Sequence, residues 1–300
     1  MSELEELRSA TRSFLSTHAP VRNRLDHDPQ VWKRLTSELG LMSLASAGVP
    51  LSYVCTVLEE TGRVLLRAPY LPSVVVALAL TESELTEGLA EGSVIAAIAL
   101  DGLDQVPYAE VADVLLVADG EDLLLVEDFA ATPLCPLDPT RPQASVVAGP
   151  GRRVGSSARA RELMLLGLAA ESVGAAQRVL ELTVDHLLTR QQFGRPLASF
   201  QALRHRIADL TVLVEAATST LWYAAQPGSD LSVAAPLAKA AAADAFVAVV
   251  GEGLQLHGGI GFTWEHEMHL FFKRAWTTAL TQGRSAALRR EAFERARAHG

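Results

Sequence analysis

From Ala158 to the C-terminal end, apolar residues recur every three or four positions in long tracts. The tracts run from Arg159 to Thr189, Ser199 to Gln226, Ala235 to His257 and Trp264 to His299, with breaks at Gly194, Pro196, Gly228 and Gly258-Gly259. Helices of that length joined by short breaks pack antiparallel, so residues 158–300 are expected to form a four-helix bundle. Upstream, Glu3 to Leu66 also shows helical spacing, interrupted by Pro20, Pro29 and Pro50, and residues 1–72 are expected to be a shortened N-terminal helical unit. Between them, residues 73–157 carry short apolar runs (Ser93 to Leu100, Val111 to Val117, Asp122 to Val126) separated by turn residues, as a small β domain would. The Asp119 to Asp122 stretch between two aliphatic runs is a hairpin turn candidate. The expected fold class is mixed α and β, mostly helical, in the order helices, strands, helices.

Composition narrows what such a chain does. With 49% hydrophobic and 20% charged residues it buries a large core. A net charge of -9 argues against nucleic acid as a partner. Cys55 and Cys135 lack the spacing of a disulfide framework or metal site, so no metal is expected, both are read as core packing, and a reducing compartment follows. The acidic, amphipathic N-terminus does not read as a secretory signal, which points to the cytoplasm. Leu231 to Leu256 is long and apolar, but Lys239, Asp244 and Glu252 interrupt it, as in a buried helix rather than a membrane span.

Two segments carry candidate chemistry. Around Arg190 a helix ends, a turn follows at Arg195-Pro196, and a new helix opens behind Ser199, a candidate N-cap. A guanidinium beside a helix start suits an anionic phosphate. Gln201, His205 and Asp209 then form a polar stripe. An ordinary turn before a solvated helix face accounts for the same spacing. The second segment, Gln255-Leu256-His257-Gly258-Gly259-Ile260-Gly261, ends an apolar helix in glycines, which admit close approach of a ligand and equally serve as a helix cap.

In this order and separation, the two segments resemble the C-terminal domain of the acyl-CoA dehydrogenase family. Arg190, Phe193, Gly194, Pro196, Phe200 and Gln201 match its RxxFGxPxxxFQ pattern, and Gln255, Gly258, Gly259 and Gly261 match its QxxGGxG pattern. The resemblance extends to the stretches before Arg190, near Thr61 and around Val106 to Val117. It implies an acyl-CoA dehydrogenase-like fold, FAD as cofactor, an acyl-CoA thioester as substrate and an electron-transfer flavoprotein as acceptor. It further implies that Arg190, Phe193, Gly194, Gln201, Gln255, Leu256, His257, Gly258 and Gly259 hold the pyrophosphate and adenosine half of an FAD whose ring lies in a neighbouring subunit.

The family abstracts an α-proton with a carboxylate while hydride leaves for the flavin. The two positions that usually carry that Glu correspond here to Gln282 and Met164, and neither is an acid. Glu171, seven residues beyond Met164 on the same helix face, is the candidate base within this chain, with a structural carboxylate as the alternative. Glu162 is a second nearby acid, and Glu265 and His266 are read as helix packing. The family's flavin-contacting runs in the N-terminal and β units are missing. That pattern is similar to the shorter subunit of actinobacterial α2β2 acyl-CoA dehydrogenases acting on bulky, steroid-derived CoA thioesters, where a longer partner completes the flavin site and can carry the base. A structural subunit without flavin contact, or a homo-oligomeric flavin oxidase or hydroxylase, are the alternatives.

Overall fold

The computed structural model describes residues 2–21, 28–80 and 85–299. The N-terminal part comprises α1 (Glu3–His18), α2 (Pro29–Ser37), α3 (Ser43–Ser46), α4 (Leu51–Arg63), α5 (Tyr70–Ala79) and α6 (Thr86–Glu91). Helix therefore continues past the boundary expected at residue 72. The run YLPSVVVALA is apolar on all sides, so its texture does not separate a buried helix from a buried strand, and it folds as α5 with nearly every side chain buried. At the start of the chain, Ser2 and Glu5 close a capping box on α1.

Seven strands follow: β1 (Ala96–Ala99), β2 (Val106–Pro107), β3 (Val114–Asp119), β4 (Asp122–Val126), β5 (Phe129–Pro133), β6 (Gln143–Ala148) and β7 (Arg152–Ser156). They form a four-stranded sheet, β1-β3-β4-β7, with β1 parallel to β3, and a three-stranded sheet, β2-β6-β5. The expected hairpin is present, with Asp119 opposite Asp122 and Gly120 at φ 58°. In β1, Ala96 and Ile98 face the helices while Ala97 and Ala99 face the second sheet. Burial on both faces explains why it reads as a continuous apolar run.

The C-terminal part consists of α7 (Ser157–Thr189), a two-stranded turn of β8 (Gln191–Gln192) and β9 (Arg195–Pro196), then α8 (Gln201–Ala224), α9 (Leu231–His257), α10 (Met268–Leu280) and α11 (Ser285–His299). The fourth expected helix, Trp264 to His299, is two helices: it breaks at Gln282 and Gly283, both in the left-handed region (φ 59° and 106°). α9 lies at the centre and packs against α7, α8, α10 and α11. α7 and α9 are long and apolar enough to cross a membrane, but 83% and 67% of their apolar windows are buried within the protein, so they are core helices. α4 meets α7 at glycine: a Cβ on Gly174 would lie 1.8 Å from the Glu59 carbonyl oxygen, and one on Gly62 2.0 Å from that of Glu171. The crossing is closer than any side chain allows.

Candidate functional site

The two sequence segments come together at one end of the bundle. His186, one turn before Arg190 on α7, stacks on His257, one residue before Gly258 on α9, with ring centroids 4.4 Å apart. His266 packs on the other side of His257 at 4.7 Å. His257 Nδ1 lies 2.7 Å from the Gly253 carbonyl oxygen, which only accepts, so this nitrogen donates. Burial holds both His186 and His257 below the usual imidazole range, and for His186 the neighbouring His257 and Arg190 add to the effect.

Beyond this stack the side chains point outward. Phe193 and Gly194 (φ 55° and 76°) form the two-residue turn between β8 and β9, a geometry that costs a non-glycine residue conformational strain. The Phe193 ring is 89% exposed. Arg190, Gln201 and Gln255 are exposed as well, and the Arg190 side chain has no hydrogen bond or ion pair with a described residue. The Arg195 guanidinium lies over the Phe200 ring, 4.1 Å from its centroid, at the start of α8. Ser199 is not the N-cap expected of it. α8 opens at Gln201 with Phe200 in the cap position, and Ser199 belongs to the preceding tight turn, its Oγ buried without a hydrogen-bond partner. Gly258 sits at φ 65°, and a Cβ on Gly258, Gly259 or Gly194 would meet nothing within 4 Å. Leu256 and His257 turn their side chains into the bundle, so only their main chain faces this surface.

An extended anionic group carrying an aromatic end fits this surface. It offers an unpaired guanidinium at Arg190, a helix N-terminus at Gln201, the exposed ring of Phe193, and glycine backbone with open space above it. These groups suit the pyrophosphate and adenosine part of FAD.

Toward the other end of α7 lies a cavity of about 740 Å³, walled by α5, the loop after β1, the segment around Cys135–Leu137, α7 and α10. Met164 and Gln282 both line it, together with Glu171. Glu171 is engaged by two buried guanidiniums: Arg141 Nη2 donates to it at 2.6 Å, and Arg274 Nη1 lies 3.8 Å away. Arg274 also donates to Asp138 at 2.7 Å and to the Thr140 carbonyl at 2.7 Å, and Arg141 donates to Thr278 at 3.1 Å. Burial alone would push the Asp138 carboxyl up, but Arg274 and Arg141 outweigh it and hold the group below the ordinary carboxylate range. Burial likewise acts to lower Arg274, and Asp138 with Glu171 more than offsets it. The cluster is thus two cations matched by two carboxylates, tying the segment after β5 to α7 and α10.

The remaining candidates have structural settings. Glu162 pairs at 3.8 and 3.7 Å with Arg159 and Arg295. Glu265 is exposed. Cys55 is buried as expected, and burial pushes its thiol up, but Cys135 is exposed at the cavity rim rather than in the core. Arg141, Arg274, Asp138 and Asp101 escaped sequence reasoning because they come from three segments far apart in the chain with no shared spacing. Among the described residues no group of His, Cys, Asp and Glu is placed to hold a metal ion.

Comparison with known proteins identifies the family and the fold. Residues 163–296 match the family model of the acyl-CoA dehydrogenase C-terminal domain. The chain is 37% identical to acyl-CoA dehydrogenase IpdE2 of Mycolicibacterium smegmatis, covering 94% of both chains, and 36% identical to IpdE2 of Mycobacterium tuberculosis, covering 92% of both. Among solved structures, a variant of the Tcur3481-Tcur3483 steroid ACAD superposes with a TM-score of 0.88 at 28% identity over 99% of each chain. The ChsE4-ChsE5 complex from Mycobacterium tuberculosis superposes with a TM-score of 0.87 at 24% identity, covering 100% of this chain and 98% of that one, a likeness of fold.

Proposed function

Because the chain belongs to the acyl-CoA dehydrogenase family, we propose that it works as one subunit of a heteromeric, FAD-dependent acyl-CoA dehydrogenase of the cytoplasm, holding the adenosine half of an FAD whose ring lies in a longer partner chain. The carrying observation is a separation. Arg190 lies 19 residues beyond Glu171 on one continuous helix, about 28 Å along its axis at 1.5 Å per residue. A handle so far from this chain's own cavity serves a site completed by another polypeptide.

In this reading Arg190 and the first amides of α8 neutralise the pyrophosphate, while the glycines after His257 let backbone approach it closely. Phe193 and Gln201 flank the adenosine. FAD, when bound, supplies the hydride acceptor for α,β-dehydrogenation. The α-proton is left to a carboxylate of the partner: Met164 and Gln282 cannot take it, and Glu171 is tied up by Arg141 and Arg274 rather than lying free in the apolar setting that makes a carboxylate a useful base. The substrate is a bulky CoA thioester, steroid-derived as in the Tcur3481-Tcur3483 steroid ACAD, and the electrons pass to an electron-transfer flavoprotein.

Producing the chain with and without its longer partner tests the reading. FAD is expected to be retained by the complex and absent from the isolated chain. Full, stoichiometric FAD in the isolated chain overturns it. In the complex, Arg190→Ala should strip flavin, whereas a purely structural subunit would lose none.

A further inference from the structure

The tract from Trp264 to His299 carries the apolar spacing of one helix, and its second half is rich in Ala, Leu and Arg, yet it breaks between α10 and α11. The break puts Gln282 at φ 59° and Gly283 at φ 106°. A left-handed non-glycine residue persists only where surrounding structure enforces it. In an unbroken helix the Ala279 carbonyl would accept from the Gly283 amide, and the Gly283 carbonyl from the Ala287 amide. Those are the two carbonyls that Lys239 takes, its Nζ donating at 3.3 and 2.6 Å.

Lys239 reaches them from the middle of α9, where it is fully buried. Among the described residues it forms no ion pair, and the charged groups around it are engaged elsewhere. Asp244 on α9 accepts from Ser285 and Arg289 of α11, each at 2.7 Å. Arg161 on α7 donates to Glu291 of α11 at 2.7 and 2.9 Å and reaches the Gln282 carbonyl at 3.4 Å. Asp101, in the loop after β1, accepts the Gln282 amide N–H at 3.1 Å. The buried ammonium is compensated instead by the negative end of α10.

We propose that Lys239 is a conformational pin: by taking the carbonyls of Ala279 and Gly283 it holds α10 and α11 apart against one continuous helix, and so sets where Gln282 and the whole of α11 stand. The continuous form carries α11 off α9, withdraws Gln282 from the cavity and uncovers Lys239. The pin is proton-linked. Burial lowers the Lys239 ammonium from 10.5 to about 8, with Arg161 adding to the effect and Asp244 and Asp101 opposing it. A neutral amine keeps two N–H groups, one for each carbonyl. Losing the proton therefore removes the cost of burying charge and keeps both bonds, so the broken form gains as pH rises from about 8 toward 10.5. The inference does not rest on the FAD handle at the far end of α7.

Spin labels on the full chain read the two forms as two distances. Cys135→Ser removes the exposed native thiol while Cys55 is buried, and Leu188→Cys and Phe293→Cys place one label on exposed positions of α7 and of α11. One distance is expected with Lys239 present. Lys239→Met should add a second, longer one, a shift of roughly a hundred-fold at about ten-fold for each hydrogen bond lost. Adding Gln282→Gly, which relieves the strained residue and weakens the continuous helix, should return much of the first distance. Should Lys239→Met fail to fold, Gly283→Ala decides with Lys239 in place: it burdens the broken form with a side chain at φ 106° and should populate the second distance. Between pH 7 and 9.5 the weight of that second distance should then fall roughly ten- to thirty-fold. A single unchanged distance in Lys239→Met or in Gly283→Ala overturns the proposal. So does a second distance in Gly283→Ala that ignores pH.

Discussion

The two ends of α7 handle polar groups in opposite ways. At the cavity end, charges are buried and matched within the chain: Arg274 is 3% exposed and Asp138 1%, and each finds its partners among neighbouring segments. At the handle end, Arg190 stands exposed with no partner among the described residues, Phe193 is strained and almost fully exposed, and glycine backbone opens onto empty space. Groups paired within the chain stabilise the chain. Groups kept outward at a conformational cost serve something outside it. Under the proposed function, the contrast gives folding to one end and association to the other.

The sharpest way to break this comparison is Arg274→Ala. It leaves Asp138 buried without its main cation, and removing one member of a buried pair costs about 3–5 kcal/mol. A large fall in the denaturation midpoint of the isolated chain is expected, and a change under ~1 kcal/mol would contradict the assignment. Next in size is Arg190→Ala. Stability should stay within about 0.5 kcal/mol, because the side chain is exposed, while loss of a charge-assisted contact worth about 1.5–3 kcal/mol should weaken FAD retention by the complex some ten- to hundred-fold. Flavin absorbance after gel filtration reads this directly.

A smaller effect comes from pH. His186 and His257 titrate below the usual imidazole range in the folded protein, chiefly because burial disfavours their charged forms. As pH falls below about 6.5, the unfolded chain takes up protons that the folded stack resists, so stability declines with acidification and is unaffected by these groups above that pH. The melting temperature should drop between pH 7 and 5.5, and His257→Phe, which keeps a ring but removes a titrating group, should flatten that slope. The smallest expected change is Phe193→Gly. Relieving a left-handed non-glycine residue should raise the stability of the isolated chain by up to ~1 kcal/mol while weakening its association with the partner, measured by sedimentation. If association is unchanged, Phe193 is not part of the contact surface.

The helices of the bundle were legible because their apolar periodicity is long and their breaks are glycine and proline. The break at Gln282 was not, since only Gly283 marks it and the turn is enforced by Lys239 and Asp101 from distant segments. α5 was hidden because a helix buried on every side loses its period. β5 escaped because it is largely exposed and ends in Pro133, so it shows no apolar run. At the site, the handle could be read as a linear motif. The Arg141–Glu171–Arg274–Asp138 cluster could not, because it exists only once the segment after β5 folds back against α7 and α10.

α7 carries both ends on a single uninterrupted rod, and this fixes its length more strictly than its composition. At 3.6 residues per turn, one residue inserted between Glu171 and Arg190 would swing everything beyond it by about 100°. His186 would leave His257, and the handle would point into another quadrant while the cavity stayed where it is. Chains of this design can therefore drift in side chain at either end independently, but gain or lose no residue in between.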